Sequence, residues 1–317
     1  QLNKLFISSK SSKSIEDSTS NNYDQLKIKQ ESLNSNITNT SRSSFIQEES
    51  AVIPPFLGSR ILQSADLDID KILSYLDRNA LFVGQWQMRR SKSQTKADYN
   101  SFLLSEAEPV LTHWIDLIKT QDLLEPQAVY GYYPCFSKDN QILVFNSINR
   151  DFLGSFELPR QKGGNRYCVS DFYRSSANGE PTDYLPMQAV TMGSKASIYA
   201  KELFDKNLYS DYLYFHGLAV QLAEALAEYI HSLIRIECGF GPVEPTQLPQ
   251  ILAQRYRGSR YSFGYPACPN VSDSRKQLAW LNASRIGLSI DEGDQLHPEQ
   301  STTALIALHS KARYFSA

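Results

Sequence analysis

The chain has 317 residues, of which 41% are hydrophobic, and its formal net charge is −2 at pH 7. These proportions supply enough apolar side chains for a sizeable core, but they lack the basic surface that nucleic acid or an anionic membrane requires of a principal partner. No apolar run reaches membrane-spanning length without a charge or His inside it. The four widely spaced cysteines form no Cys-x-x-Cys pair, which favours reduced thiols in the cytoplasm over disulfides or structural zinc.

Residues 1–52 are predicted to form a linker, mostly of low complexity. This segment is rich in Ser and Asn and poor in large apolar side chains. Such a composition cannot bury enough surface to offset the entropy of ordering the chain, so the linker is expected to be disordered or extended. Two consecutive prolines, Pro54 and Pro55, follow it and prevent a helix from forming there. The folded domain is therefore predicted to span residues 53–317.

Several stretches of the predicted domain have apolar residues at helical spacing. A capped helix is predicted over residues 66–77. Residues 96–120 are also helical in pattern, but Pro109 lies inside them, so one kinked helix and two short helices are both possible. The strongest pattern covers residues 212–236, where apolar side chains occupy more than half of the helix circumference, and this helix is expected to lie deep in the fold.

Between the second and third of these helical regions lies a block with strand-like composition. Turns rich in Gly, Pro and Asn separate its runs, so antiparallel pairing is expected. Helices occur before, between and after the strands, which predicts an α+β fold with a central antiparallel sheet and flanking helices rather than a doubly wound sheet. The predicted strands cover residues 128–136, 141–145, 154–158, 167–172 and 187–193, with two more strand-like runs at 286–290 and 304–308.

The most distinctive loop of the sequence spans residues 257–269. It contains two glycines, two prolines and three aromatic residues, which predicts an ordered but irregular loop of the kind that carries binding groups. The guanidinium of Arg260 suits a carboxylate, and Gly264 would let a ligand approach the backbone. The backbone amides of Ser262 and Tyr265 could bond a heterocycle. A purely structural ion pair of Arg260 with an aspartate is the alternative.

Two glutamates lie one turn apart on the long predicted helix. Glu224 is flanked by Leu and Ala, so it is expected to be partly desolvated and to need a cationic partner or a ligand amine. Glu228 is expected to lie on a solvated stripe of the helix. The five histidines show no metal-binding spacing and no nucleophile–base motif is present, so neither a metal site nor a catalytic residue is predicted.

Several segments resemble the activation domain of cobalamin-dependent methionine synthase. The most specific is Arg-x-x-x-Gly-Tyr-Pro-Ala-Cys-Pro at residues 260–269. Leu-Ala-Glu-Ala-Leu-Ala-Glu-Tyr-Ile-His at 222–231 and Gln-Leu-His-Pro-Glu-Gln-Ser at 295–301 resemble the same family. The resemblance covers residues 55–317. Because the chain begins with Gln rather than Met, we expect it to be the C-terminal part of a longer polypeptide.

The resemblance implies a binding site for S-adenosylmethionine. In it, Arg260 would hold the ligand carboxylate, and the loop would supply backbone contacts. Carboxylates would come from the long helix and from the end of the first helix, and a tyrosine would come from the C-terminal tail, where Phe315 replaces a second tyrosine of the family. The implied binding residues are Asp77, Glu224, Arg260, Ser262, Gly264, Tyr265 and Tyr314.

The function implied by the resemblance is reductive reactivation of methionine synthase, within methionine biosynthesis. The domain would present the methyl group of S-adenosylmethionine to cob(I)alamin, formed by one-electron reduction of the inactive cofactor. Its partners would be a cobalamin-binding domain of the same polypeptide and a flavodoxin-like or other small electron donor, and the chain would be a cytoplasmic monomer. A stand-alone S-adenosylmethionine-binding module or sensor, without methyl transfer, is the alternative.

Overall fold

The structure is a computed structural model, and it describes residues 41–317. The first forty residues of the predicted linker lie outside this part of the chain. Nine strands are described: β1 Gly58–Leu62, β2 Gln127–Lys138, β3 Gln141–Phe145, β4 Phe152–Glu157, β5 Asp183–Thr191, β6 Ser259–Tyr261, β7 Ser289–Ile290, β8 Leu296–His297 and β9 Ser301–Ala307.

Seven of these strands form one antiparallel sheet in the order β4-β3-β2-β5-β9-β6, with β1 paired to β2. Strands β7 and β8 form a separate pair. The predicted central antiparallel sheet is thus confirmed. Strand β2 contains ten consecutive buried residues, because the sheet is covered on both faces at its centre.

Helices of very different lengths flank the sheet within residues 41–317. In the second helical region the backbone is helical throughout residues 96–121, and a π-helical turn at Leu103–Ala107 lies just before Pro109. The region is therefore one helical run interrupted by a wide turn rather than two separate helices. The seven α-helices are α1 Ile69–Leu73, α2 Lys96–Phe102, α3 Glu108–Gln121, α4 Ser194–Asp205, α5 Tyr209–Arg235, α6 Leu248–Leu252 and α7 Asp273–Leu281.

Two hydrophobic cores lie on opposite faces of the sheet. The alternation of side chains along β2 assigns Ala128 to one core and Val129 to the other. Helix α5 covers the first face with buried side chains such as Leu222 and Leu226, as expected for a helix this apolar. Helix α7 covers the second face, with Leu281 fully buried. Among the described residues, no helix combines the length and hydropathy needed to cross a bilayer.

Two predicted strands were wrong. Residues 167–172 contain the 3-10 helix Val169–Phe172, because Asp171 accepts a hydrogen bond from the Cys168 amide at 3.1 Å and closes a turn. The same buried carboxylate forms two hydrogen bonds with Arg160, of 2.6 and 2.8 Å. Residues 286–290 form a strand only at Ser289–Ile290, since a 3-10 helix ends at Ile286.

The described part of the predicted linker contacts the domain. Arg42 donates to the backbone oxygens of Asp171 at 2.6 Å and Tyr173 at 2.7 Å. Ile46 is buried in the second core, and Glu49 forms an ion pair with Arg257. The linker prediction for residues 1–40 stays a prediction.

Strands β1 and β2 lie so close together at Gly131 that a larger residue there is expected to destabilise the fold. A Cβ atom at Gly131 would lie 2.1 Å from the Gly58 carbonyl oxygen and 2.7 Å from Ser59 Cα. We expect Gly131→Ala to lower the free energy of unfolding by about 1–3 kcal/mol through this overpacking. Urea unfolding measures the effect, with Gly163→Ala as the control, because nothing lies within 4 Å of a Cβ there. Equal stability of the two variants would contradict the prediction.

Candidate ligand-binding site

Arg260 is positioned by the edge strand β6. The strand pairs antiparallel with β9, and Arg260 lies opposite Ile306. Ile306 belongs to the core beneath α5, whereas Tyr261 belongs to the core on the other face. Because side chains alternate along a strand, Arg260 extends towards α5.

Two carboxylates of α5 receive the guanidinium of Arg260. Its Nη1 donates to Glu224 Oε2 at 3.1 Å, and its Nε donates to Glu228 Oε2 at 3.1 Å. Burial alone would lower the pKa of Arg260, but the two glutamates outweigh burial and raise this pKa above its ordinary value. The arginine therefore remains charged. The alternative named an aspartate as the ion-pair partner; the ion pair is present, but both partners are glutamates.

A cavity of about 260 Å³ opens in front of this arrangement. It brings together Asp77, Glu224, Arg260 and Tyr265 of the predicted site. Asp77 lies beyond the end of α1, where its Oδ1 accepts a hydrogen bond from the Ala80 amide at 3.0 Å. The other residues that line the cavity are Tyr75, Gln221, Ala225, Glu228, Ile251, Leu252, Gln254 and Tyr256.

A second, larger cavity of about 580 Å³ shares two lining residues with the first. Glu224 and Tyr265 line both cavities, and Ser262 lines only the larger one. The larger cavity extends along α5 from Glu224 to His216. We call the two cavities together the groove.

The loop from which the site was predicted, residues 257–269, is stabilised by hydrogen bonds within its own backbone. The Gly264 amide donates to the Cys268 carbonyl at 2.9 Å, and the Cys268 amide donates to the Tyr265 carbonyl at 2.8 Å. Gly264 has a φ of +89°, a conformation that L side chains rarely adopt. Cys268 is buried in the second core, and burial raises the pKa of its thiol, whereas Tyr265 is 56% exposed.

The remaining predicted residues lie close to the groove without lining it. Gly264 and Tyr314 are absent from the lining of these two cavities. Burial, followed by the charges of Glu224 and Tyr314, raises the pKa of Tyr265. Phe315 is buried 5.8 Å from the ring of Tyr167, in the second core.

The expectation that Glu228 is solvated was wrong. The residue is 8% exposed, because its position one turn beyond Glu224 places both carboxylates on the face of α5 that meets Arg260. Two further partners of Glu228, Tyr256 at 3.2 Å and Arg235 at 3.5 Å, were not predicted from the sequence. An Arg at the end of an otherwise apolar helix was the available signal.

The four cysteines are buried or partly buried. Cys135, Cys168 and Cys268 are buried, and burial raises the pKa of the half-buried Cys238 to about 11. All four cysteines are free. Across residues 41–317, no group of three or more His, Cys, Asp or Glu side chains could hold a metal ion.

Two curated proteins are similar to most of this chain. Methionine synthase of Mycobacterium tuberculosis is 41% identical over 275 residues, which is 83% of this chain and 23% of that protein. Methionine synthase of Mycobacterium leprae is 39% identical over 287 residues, 87% of this chain and 24% of that protein. The chain thus spans about a quarter of the length of these relatives.

A crystal structure of the MetH reactivation domain bound to AdoHcy has a similar fold. The TM-score is 0.73 at 22% sequence identity, and the alignment covers 84% of this chain and 83% of that one. The sequence model of one family, described as "Vitamin B12 dependent methionine synthase, activation domain", matches residues 68–317. This chain belongs to the family of vitamin B12 dependent methionine synthase activation domains.

Proposed function

We propose that the chain binds S-adenosylmethionine in the groove and presents its methyl group for the reductive reactivation of methionine synthase. The observation that carries this proposal is the placement of Arg260 between two carboxylates at the wall of a cavity. The amino-acid part of the ligand has a carboxylate and an ammonium, and its sulfur is a cationic sulfonium. One arginine with neighbouring carboxylates complements these charges.

Each predicted residue has a role in this proposal. Arg260 binds the ligand carboxylate, and Glu224 and Asp77 face the cationic groups from opposite elements of the cavity wall. Ser262, Gly264 and Tyr265 place the loop against the nucleoside, and Tyr314 contributes from the C-terminal tail. A reactivation domain of this fold binds AdoHcy, which supports the choice of ligand.

The chain's residues would bind and orient the methyl donor rather than react with it. Cobalamin, carried by another domain, would supply the reduced cobalt that accepts the methyl group as the sulfur–methyl bond breaks and S-adenosylhomocysteine is left. The electron would come from a flavodoxin-like or other small donor. We propose a cobalamin-binding domain of the same polypeptide as the docking partner and the cytoplasm as the location, with the chain acting as a monomer.

Removal of the guanidinium tests the ligand assignment. We expect Arg260→Ala to weaken S-adenosylmethionine binding by roughly 2–3 kcal/mol, because a charge-assisted hydrogen bond to the ligand is lost. Titration calorimetry measures the affinity, and Arg90→Ala, at an exposed arginine that lines neither cavity, is the control. Unchanged affinity of the Arg260 variant would refute the assignment.

A methyl-transfer assay distinguishes a reactivation module from a sensor that only binds the ligand. The chain is mixed with the cobalamin-binding domain of a methionine synthase, a one-electron reductant and methyl-labelled S-adenosylmethionine. We expect label to accumulate on cobalamin with the unmodified chain and about tenfold or more slowly with Arg260→Ala at a fixed, subsaturating ligand concentration. Intact ligand binding without any transfer would favour the sensor.

A further inference from the structure

Glu228 is the most heavily bonded carboxylate of the site. Its Oε2 accepts hydrogen bonds from Arg260 Nε at 3.1 Å and from the Tyr256 hydroxyl at 3.2 Å. Its Oε1 accepts from Arg235 Nη2 at 3.5 Å and lies 3.9 Å from His231 Nδ1. Its side chain is 10% exposed, and protein groups donate to both of its carboxylate oxygens.

A buried layer behind Glu228 fixes its position. Arg235 is fully buried and donates from Nε to Glu244 Oε2 at 2.8 Å, and a second contact joins its Nη2 to Glu244 Oε1. The ring centroid of Tyr256 lies 3.7 Å from the guanidinium carbon of Arg235. Because Arg235 and Glu244 neutralise each other in this two-bonded pair, the charge of Glu228 is available to Arg260.

Glu224 differs from Glu228 in the freedom of its side chain. It is 38% exposed and lines both cavities, and its one hydrogen bond among the described residues is to Arg260 Nη1. The Nη2 nitrogen of Arg260 makes no hydrogen bond within the same residues. Glu228 thus fixes the Nε edge of the guanidinium, whereas the Nη1 end faces the more exposed carboxylate of Glu224.

We propose that Glu228 is a positioning residue that orients Arg260, and that Glu224 is an exchangeable partner of Arg260 in the unliganded site. This inference rests on the function proposed above. When the ligand binds, its carboxylate takes Nη1 and Nη2 of Arg260, and Glu224 turns to the ligand ammonium. Glu228 keeps its hydrogen bond with Arg260 Nε, so the guanidinium plane stays aligned for a bidentate contact with the ligand carboxylate.

The test compares two ligands with two variants of the chain. Decarboxylated S-adenosylmethionine keeps the ammonium and sulfonium but lacks the carboxylate. We expect Glu228→Gln to weaken S-adenosylmethionine about tenfold or more and the decarboxylated ligand less than about threefold, because the variant acts only through Arg260. Glu224→Gln should weaken the decarboxylated ligand more than S-adenosylmethionine, because both ligands lose the charge that faces the ammonium, but only S-adenosylmethionine no longer has to displace a charged Glu224 from Arg260. Calorimetry, or displacement of S-adenosylhomocysteine for weak ligands, measures the affinities.

Two further variants keep the inference testable if Glu228→Gln folds poorly or if a ligand binds weakly. On an Arg260→Ala background, Glu228→Gln should change S-adenosylmethionine affinity less than about twofold, because the group that it positions is gone. If Glu228→Gln does not fold, Tyr256→Phe removes one hydrogen bond to Glu228 and should cause a smaller loss in the same direction, confined to the ligand with the carboxylate.

Several outcomes would overturn the inference. An equal loss for both ligands in Glu228→Gln would assign Glu228 a purely structural role, and so would a full further loss on the Arg260→Ala background. Unchanged S-adenosylmethionine affinity in Glu228→Gln and Tyr256→Phe would also exclude positioning. Failure of the unmodified chain to bind either ligand would overturn the proposed function, and this inference with it.

Discussion

The charge of a single arginine at the sheet edge constrains the rest of the site. A guanidinium withdrawn from water needs carboxylates with good geometry, and Arg260 obtains them from Glu224 and Glu228 of α5. Both glutamates reach it only because α5 lies directly over the sheet. The apolar side chains of α5 that form the first core, such as Leu222 and Leu226, set that position. Packing of the core and alignment of the ion pairs therefore depend on the same helix.

The loop at residues 257–269, which includes the short strand β6, shows how an irregular segment can be held in place and still expose part of its backbone. Phe263 and Cys268 are buried in the second core, and Phe263 lies 5.3 Å from the ring of Phe156. Between these anchors, Gly264 and Tyr265 are exposed beside the groove. Each face of the sheet thus contributes to the site: the α5 face supplies the carboxylates, and the opposite core holds the loop.

Both ends of the described chain meet at the start of this loop. Glu49 forms an ion pair with Arg257 and accepts a hydrogen bond from the Ser310 amide at 3.2 Å. The Arg257 Nε donates to the Leu308 carbonyl at 2.8 Å. These contacts join the segment that precedes the domain, the C-terminal tail and the first residue of the loop, so the loop is supported beyond its own turn.

The sequence by itself determined the fold class and indicated candidate residues, of which Arg260 and Glu224 line the same cavity. Alternating apolar residues predict the strands of the sheet, and apolar residues at helical spacing predict the long helix. Both patterns depend only on the spacing of residues along the chain. The composition of the loop and the apolar neighbours of Glu224 identified Arg260 and Glu224 as candidates before any contact was known. The turn at residues 169–172 was missed because the buried pair of Asp171 and Arg160 outweighs a strand-like composition.

Only the tertiary structure decided which groups share one cavity. Asp77 and Tyr265 come from distant parts of the chain, and their meeting depends on how the first helix and the loop pack around α5. The burial of Glu228 was decided in the same way. Helical spacing shows that it shares a face with Glu224, but the exposure of that face depends on the strand and the two arginines that lie against it.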